Sequence, residues 1–214
     1  MLRLSNEEKI MNILAIGAHP DDIEFGCGGT LLKYSKHGHS IYMLVLTEGE
    51  VGSDAQFRRK EQENAAQFLK AKRLFWGGFQ DTKIPVDKNL IQMIEDVINQ
   101  TEPDLILFNY FNDIHQDHRA LAQAAISASR YIKNVLFYEV PTTQEFEPDV
   151  FMDIGDVLDQ KLELLKIHHS QVDKTRVPGL SILESASSCA NFRGFQARVK
   201  FAEGFKSLRF MLNT

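Results

Sequence analysis

Two short stretches hold most of the residues that could do chemistry. The first reads His19-Pro20-Asp21-Asp22-Ile23-Glu24, the second His115-Gln116-Asp117-His118. Histidines and a carboxylate arriving from separate loops are the usual donors of a catalytic zinc that keeps one position open. His19 and Asp22, three residues apart across a turn, can converge on one point. A third donor must come from elsewhere, and spacing leaves both His115 and His118 as candidates. Asp21, next to a ligand but not needed as one, can take a proton from water made acidic by the metal. Each residue alone has a plainer reading. A His-Pro turn can be purely structural, Asp21 and Asp22 can cap a helix N-terminus, and His118 can be a solvated surface histidine. The coincidence of two such clusters favours the metal.

Such clusters need strands to deliver them. The apolar run Met11–Ala18 reads as a strand that ends at the first cluster. Ser40–Leu46, Arg73–Trp76, Asp104–Tyr110 and Asn134–Val140 read as further strands, with short ones at Val150–Ile154 and Leu208–Leu212. Ser40–Leu46 is almost continuously apolar, as a strand buried on both faces would be. Between them, Cys27–His37, Ala55–Ala71, Asp87–Gln100, Asp117–Tyr131, Asp156–His169 and Ser181–Phe201 carry helical spacing. Alternation of strands and helices predicts an α/β, doubly wound, mostly parallel sheet with helices on both faces. Ligands of such sheets bind beyond the carboxyl ends of the strands. The loops there hold His19, Asp21, Asp22 and Glu24; then Glu48 and Glu50; then Asp81; then Asn112, Asp113, His115, Asp117 and His118.

Nucleotide binding is the chief competing reading, because Gly26-Cys27-Gly28-Gly29 opens the first helix. Pyrophosphate binding wants its glycines directly after the strand. Here that turn is His-Pro-Asp-Asp, whose aspartates would repel phosphate. The glycines read instead as small residues that let the helix pack closely on the sheet, with Cys27 as another small contact residue.

Composition sets the outer bounds. The 214 residues are 43% apolar and 25% charged, ordinary for a soluble globular protein. That length suits one domain over 1–214, with residues 1–10 as an N-terminal extension. A net charge of −5 argues against nucleic acid. The chain shows no secretory leader and no apolar run of the ~20 residues that span a bilayer, so a cytoplasmic location is expected. Cys27 and Cys189 form no CxxC motif and no disulfide framework.

The motif Ala18-His19-Pro20-Asp21-Asp22-x-Glu24, then Gly26-x-Gly28-Gly29-Thr30, then His115-x-Asp117-His118, resembles the LmbE-like (PIG-L) family of zinc-dependent N-deacetylases. Leu46-Thr47-x-Gly49-Glu50, Arg58-x-x-Glu61-x-x-x-Ala65, Asp81, His168-x-Ser170-Gln171 and Ala202-Glu203-Gly204-Phe205 extend the resemblance over most of the chain. Gln116 departs from the proline often found between the family's histidine and aspartate, at a position that is not a ligand. The resemblance implies Zn2+ held by His19, Asp22 and His118, although two histidines and an aspartate also suit iron. It implies Asp21 as general base, His115 as oxyanion stabiliser or acid with Asp117 tuning it, and Arg58 as a substrate contact. Without the family, Arg58 beside Arg59 and Lys60 reads as a solvated helix face, and His168 as structural or surface. Glu24 has two readings, a bond to a ligand histidine or a helix cap. The implied substrate is an N-acetylglucosamine-type amino-sugar conjugate; the alternative is an amidase on a non-sugar or thiol-conjugate amide. A catalytically idle sugar-binding module has no need of a base beside a metal. The resemblance also brings a homo-oligomer into consideration, though no segment displays an interface.

Overall fold

A computed structural model describes residues 9–211. The expected extension at 1–10 and the end of the strand expected at 208–212 fall largely outside them. The elements run β1 (Asn12–Gly17), α1 (Asp22–Lys36), β2 (Ser40–Thr47), α2 (Ala55–Phe68), β3 (Arg73–Phe79), α3 (Lys88–Thr101), β4 (Leu105–Asn109), α4 (Gln116–Ala128), β5 (Val135–Tyr138), β6 (Val150–Asp153), α5 (Leu158–Lys166), α6 (Ile182–Ala197) and β7 (Ala202–Arg209). They form one seven-stranded sheet in the order β3-β2-β1-β4-β5-β7-β6. The first five strands in chain order are parallel. β7 is inserted antiparallel between β5 and β6. The strand order reverses between β1 and β4, which opens a crevice at their carboxyl ends.

Alternation along the strands divides the core in two. Ile13 and Ala15 of β1, with Met43 and Val45 of β2 and Leu107 of β4, face α1, α2, α5 and α6. Leu14, Ile16, Leu44, Ile106 and Phe108 face Leu90, Ile94 and Val97 of α3 and the alanine-rich side of α4. Both faces are covered, which is why these strands read as continuous apolar runs.

The largest departures from the sequence reading lie at α1, β3 and the α6–β7 junction. α1 begins at Asp22 rather than Cys27, because Asp21 takes a left-handed conformation (φ 94°) that turns the chain within one residue of the strand loop. The Gly77-Gly78 pair does not end β3 but bulges within it, where a side chain on Gly77 would strike the Leu46 backbone at 2.9 Å. The last helix stops at Ala197 and the last strand begins at Ala202, not Leu208. Arg198 is left-handed there, and Gly194 lies so close to the Lys200 carbonyl that a Cβ would sit 2.6 Å from it.

Two contacts fix α1, and with it the first cluster. A Cβ on Gly26 would lie 2.1 Å from the Tyr138 ring, whose hydroxyl donates to the Ile16 carbonyl at 2.8 Å. Farther along, the buried Lys161 Nζ donates to the Phe25 carbonyl (2.6 Å) and to Glu203 Oε1 (2.5 Å). Glu203 in turn accepts the N–H groups of Gly29 (2.8 Å) and Thr30 (2.7 Å) and the Thr30 hydroxyl (2.6 Å). A Lys–Glu pair thus holds the backbone acceptor at Phe25 and the donor four residues on.

Candidate metal centre

His19 leaves the end of β1 and His118 sits in the first turn of α4, so the crevice brings their rings together. His19 Nδ1 and His118 Nε2 are 3.2 Å apart. Asp22 Oδ2 lies 3.5 Å from the first and 3.3 Å from the second. Tetrahedral bonds of about 2.0–2.2 Å place neighbouring donors roughly 3.3–3.6 Å apart, so these three atoms match one face of such an array.

The outer nitrogens explain why the inner ones carry lone pairs. His19 Nε2 faces Asp81 Oδ1 at 3.1 Å and Asp117 Oδ2 at 3.2 Å. His118 Nδ1 faces Asp113 Oδ1 at 3.1 Å. A carboxylate on the outer nitrogen fixes the tautomer and the ring plane, the usual arrangement around ligand histidines. Asp117 is itself held by the N–H groups of Thr82 (2.7 Å) and Ile84 (3.3 Å). Two lone pairs and a carboxylate oxygen pointed at one another in a buried place repel unless a cation or proton lies between them. The protonation balance shows the same demand. Burial alone would lower His19, but Asp117, Asp22 and Asp81 hold it well above its ordinary value. Burial likewise opposes charge on His118, yet Asp22 and Asp113 lift it to about 9. Burial would raise Asp22, and the two rings hold it well below the carboxylate range.

A second grouping of donors, His19, Asp81 and Asp117, uses the outer nitrogen of His19. Its oxygens are already occupied by that ring and by backbone N–H groups, so it fits a support better than a metal site. His115 brings a ring nitrogen within 4.8 Å of those of His19 and His118. It stands at the N-cap of α4, where its Nδ1 accepts the Asp117 N–H at 3.2 Å. The neutral ring therefore carries its proton on Nε2. Burial and the neighbouring His19 and His118 rings lower its pKa.

Asp21 is at the N-cap of α1, but its side chain makes no capping bond. It keeps 26% of its surface at the cavity, and Arg58 NH2 is 3.5 Å from its Oδ1. Burial, with Asp22 adding to it and Arg58 opposing, moves this carboxyl up to about 6. Arg58 is not on a solvated face: it is 4% exposed, donating to the Pro20 carbonyl at 2.5 Å and the Gly49 carbonyl at 3.0 Å. It thereby clamps the turn that holds Asp21 in its strained conformation. Arg58 also lines the cavity of about 400 Å³ that opens over His19, Asp21, Asp22, His115 and His118.

All the residues singled out for chemistry thus meet at one crevice, with differences of detail. The Asp117 carboxylate turns to His19 and not to His115, which it meets through its backbone N–H. Glu24 neither caps α1 nor touches His19 or His118; it accepts from Gln62 Nε2 at 2.7 Å and faces His168. His168 is buried in the cavity wall, not on the surface. Asp81 and Asp113 were visible as loop acids, but nothing in the sequence paired them with particular rings. Among the described residues, no helix is long and apolar enough to cross a membrane.

Comparison with known proteins follows the same lines. The family model described as "PIG-L: GlcNAc-PI de-N-acetylase" matches residues 14–129. A protein of Escherichia coli K12 named uncharacterized deacetylase YaiS is 39% identical over 176 residues, 78% of this chain and 95% of that protein. The N,N′-diacetylchitobiose deacetylase structure from Pyrococcus horikoshii superposes with a TM-score of 0.81 at 25% identity, covering 92% of this chain and 83% of that one. The 4-oxalmesaconate hydratase of Pseudomonas putida is 23% identical, covering 91% of this chain and 88% of that protein.

Proposed function

Because the chain belongs to the PIG-L family, we propose that it is a zinc-dependent N-deacetylase acting on an N-acetylglucosamine-type amino sugar. In this reading His19, Asp22 and His118 hold the metal. The observation that carries it is the inner triangle of donors 3.2–3.5 Å apart, set beside a carboxylate, Asp21, that is free to move a proton. The relatives named as deacetylases, one of them acting on diacetylchitobiose, support the substrate class.

Zinc, when bound, polarises an amide carbonyl and makes water nucleophilic near neutral pH. The chain's own residues do the rest. Asp21, held by Arg58, accepts the proton of the attacking water at a carboxylate oxygen. His115 Nε2–H, aimed by the bond at its other nitrogen, donates a hydrogen bond to the oxyanion, and the proton that Asp21 accepted passes to the leaving amine. Asp81, Asp117 and Asp113 keep the ligand rings in place. Arg58 lines the cavity beside Asp21 and is a cation available to a substrate hydroxyl or carbonyl, with Lys174 and Arg176 also in the lining.

The direct test is acetate release from a panel of N-acetyl sugars, before and after chelation and after zinc is restored. The reading expects metal-dependent acetate and free amine. The hydratase among the relatives gives a second reading a specific footing: water addition to an unsaturated acid would yield a hydrated product and no acetate. Release of an acyl group from a non-sugar or thiol-conjugate amide, with every N-acetyl sugar inert, would move the assignment to an amidase.

A further inference from the structure

Among the described residues, two side chains of the cavity lining hold buried nitrogens with no hydrogen bond, Arg58 at Nε and His168 at both ring nitrogens. His168 follows α5, its backbone pinned by its N–H to the Leu165 carbonyl (3.0 Å) and its carbonyl to the Gln171 N–H (2.8 Å). The side chain is 1% exposed, yet neither ring nitrogen has a hydrogen-bond partner within the protein. Its Nε2 stands 3.5 Å from Glu24 Oε2, an oxygen that is also unpartnered. Buried polar atoms are almost always satisfied, so unsatisfied ones call for a reason. The ring is fixed in place all the same. Glu24 is held by Gln62, and Gln62 Oε1 accepts the Asp21 N–H at 3.4 Å. Glu61, next along α2, accepts from the Ser170 N–H (2.8 Å) and hydroxyl (2.6 Å). The segment carrying His168 is therefore tied to the turn that carries Asp21.

His168 lines the same cavity as the metal centre, and its wall neighbours there include Phe25, Leu165 and Ile182. The cavity lining mixes apolar side chains with a few polar ones, the pattern by which ligand sites fix orientation. Resting on the deacetylase reading, we infer that His168 is a substrate-binding residue that hydrogen-bonds one hydroxyl of the sugar ring while the acetamide lies at the metal centre. A hydroxyl suits the ring better than an ion would, because it can donate or accept and so pairs with imidazole in either tautomer or with imidazolium. Glu24, with Oε2 3.5 Å from His168 Nε2, attracts the ring without a formed hydrogen bond and is a positioning residue, which leaves Nδ1 as the nitrogen for the hydroxyl.

The consequence is selectivity. A site built to bond a hydroxyl discriminates against the analogue that lacks it, since its own polar group is then left buried and unpaired. The experiment measures kcat/KM for N-acetylglucosaminides lacking the 3-, 4- or 6-hydroxyl, with the wild type, His168→Ala and His168→Gln. In the wild type one deoxy analogue should lose roughly 10–100-fold. In His168→Ala that analogue should lose nothing further relative to the parent sugar, while the others keep their wild-type ratios. His168→Gln, which retains a donor and an acceptor, should restore part of the discrimination and guards against an alanine variant that fails to fold. Unchanged ratios for every analogue in both variants would overturn the assignment while leaving the deacetylase reading intact. Failure of the wild type on every N-acetyl sugar would overturn the deacetylase reading and this assignment with it.

Discussion

Two buried ionic clusters grip α1, one at its first turn and one in its middle, and they are built to opposite rules. In the middle, Lys161 and Glu203 meet each other, and the surplus donors and acceptors of the pair fall on the backbone of Phe25, Gly29 and Thr30. Charge is balanced and the buried oxygens of Glu203 are in use. At the first turn, Asp21, Asp22, Asp81, Asp113 and Asp117 surround the rings of His19 and His118, and Arg58 is the permanent cation that meets one of these carboxylates. There the donor atoms of His19, Asp22 and His118 point at one another. The Lys161–Glu203 cluster is complete without a ligand. The cluster at the first turn leaves donor atoms facing one another, which a cation or a proton between them would satisfy. A buried cluster that closes on itself serves the fold, and one that stays open serves chemistry.

That contrast can be broken at either end. The largest effect belongs to Asp21→Asn, which should lower kcat by roughly 10²–10⁴-fold while the purified protein keeps its metal; turnover measured with metal analysis checks both halves. Glu203→Ala should destabilise the fold by about 3–5 kcal/mol, because it strands a buried lysine. Denaturant unfolding reads that loss, and metal bound per folded chain should be unchanged. Asp113→Asn removes the carboxylate from the outer nitrogen of His118 and should weaken metal binding about 10–100-fold, seen by competition with a chelator. The smallest effect is in pH. Asp21 is an acceptor only when ionised, so with its carboxyl at about 6 turnover should hold above that pH and decline progressively below it. Asp21→Glu would shift that limb; a limb that stays in place would assign it to another group.

The two clusters also differ in how far they could be read from sequence. His19, Asp21, Asp22, His115 and His118 were legible because each lies at the end of an apolar strand or the opening of a helix, where local pattern fixes position. Their supports were not. Asp81 and Asp113 acquire partners only when separate loops close over the crevice. Arg58 sits in a run of basic residues, and only the packing of α2 against the β1 turn shows that it points inward. The Lys161–Glu203 pair joins residues on α5 and β7, and β7 itself was placed late. Its second half, Lys206-Ser207-Leu208-Arg209, has little apolar character, and it is a strand because β5 and β6 bracket it. The parallel strands with helices on both faces follow from helix-strand alternation; the strand order does not, nor does the glycine bulge in β3, because Gly-Gly equally marks a strand's end.

Spacing alone left His115 and His118 as equal candidates for the third donor, and the geometry favours His118. His118 presents a free nitrogen to Asp22 and has its other nitrogen on Asp113; His115 spends Nδ1 on capping α4. Metal content of purified His118→Ala and His115→Ala, each compared with the wild type, tests this division most directly. The account predicts about one zinc per chain in the wild type and in His115→Ala, with activity lost from the latter, and little or none in His118→Ala. Metal retained by His118→Ala and lost from His115→Ala would contradict it.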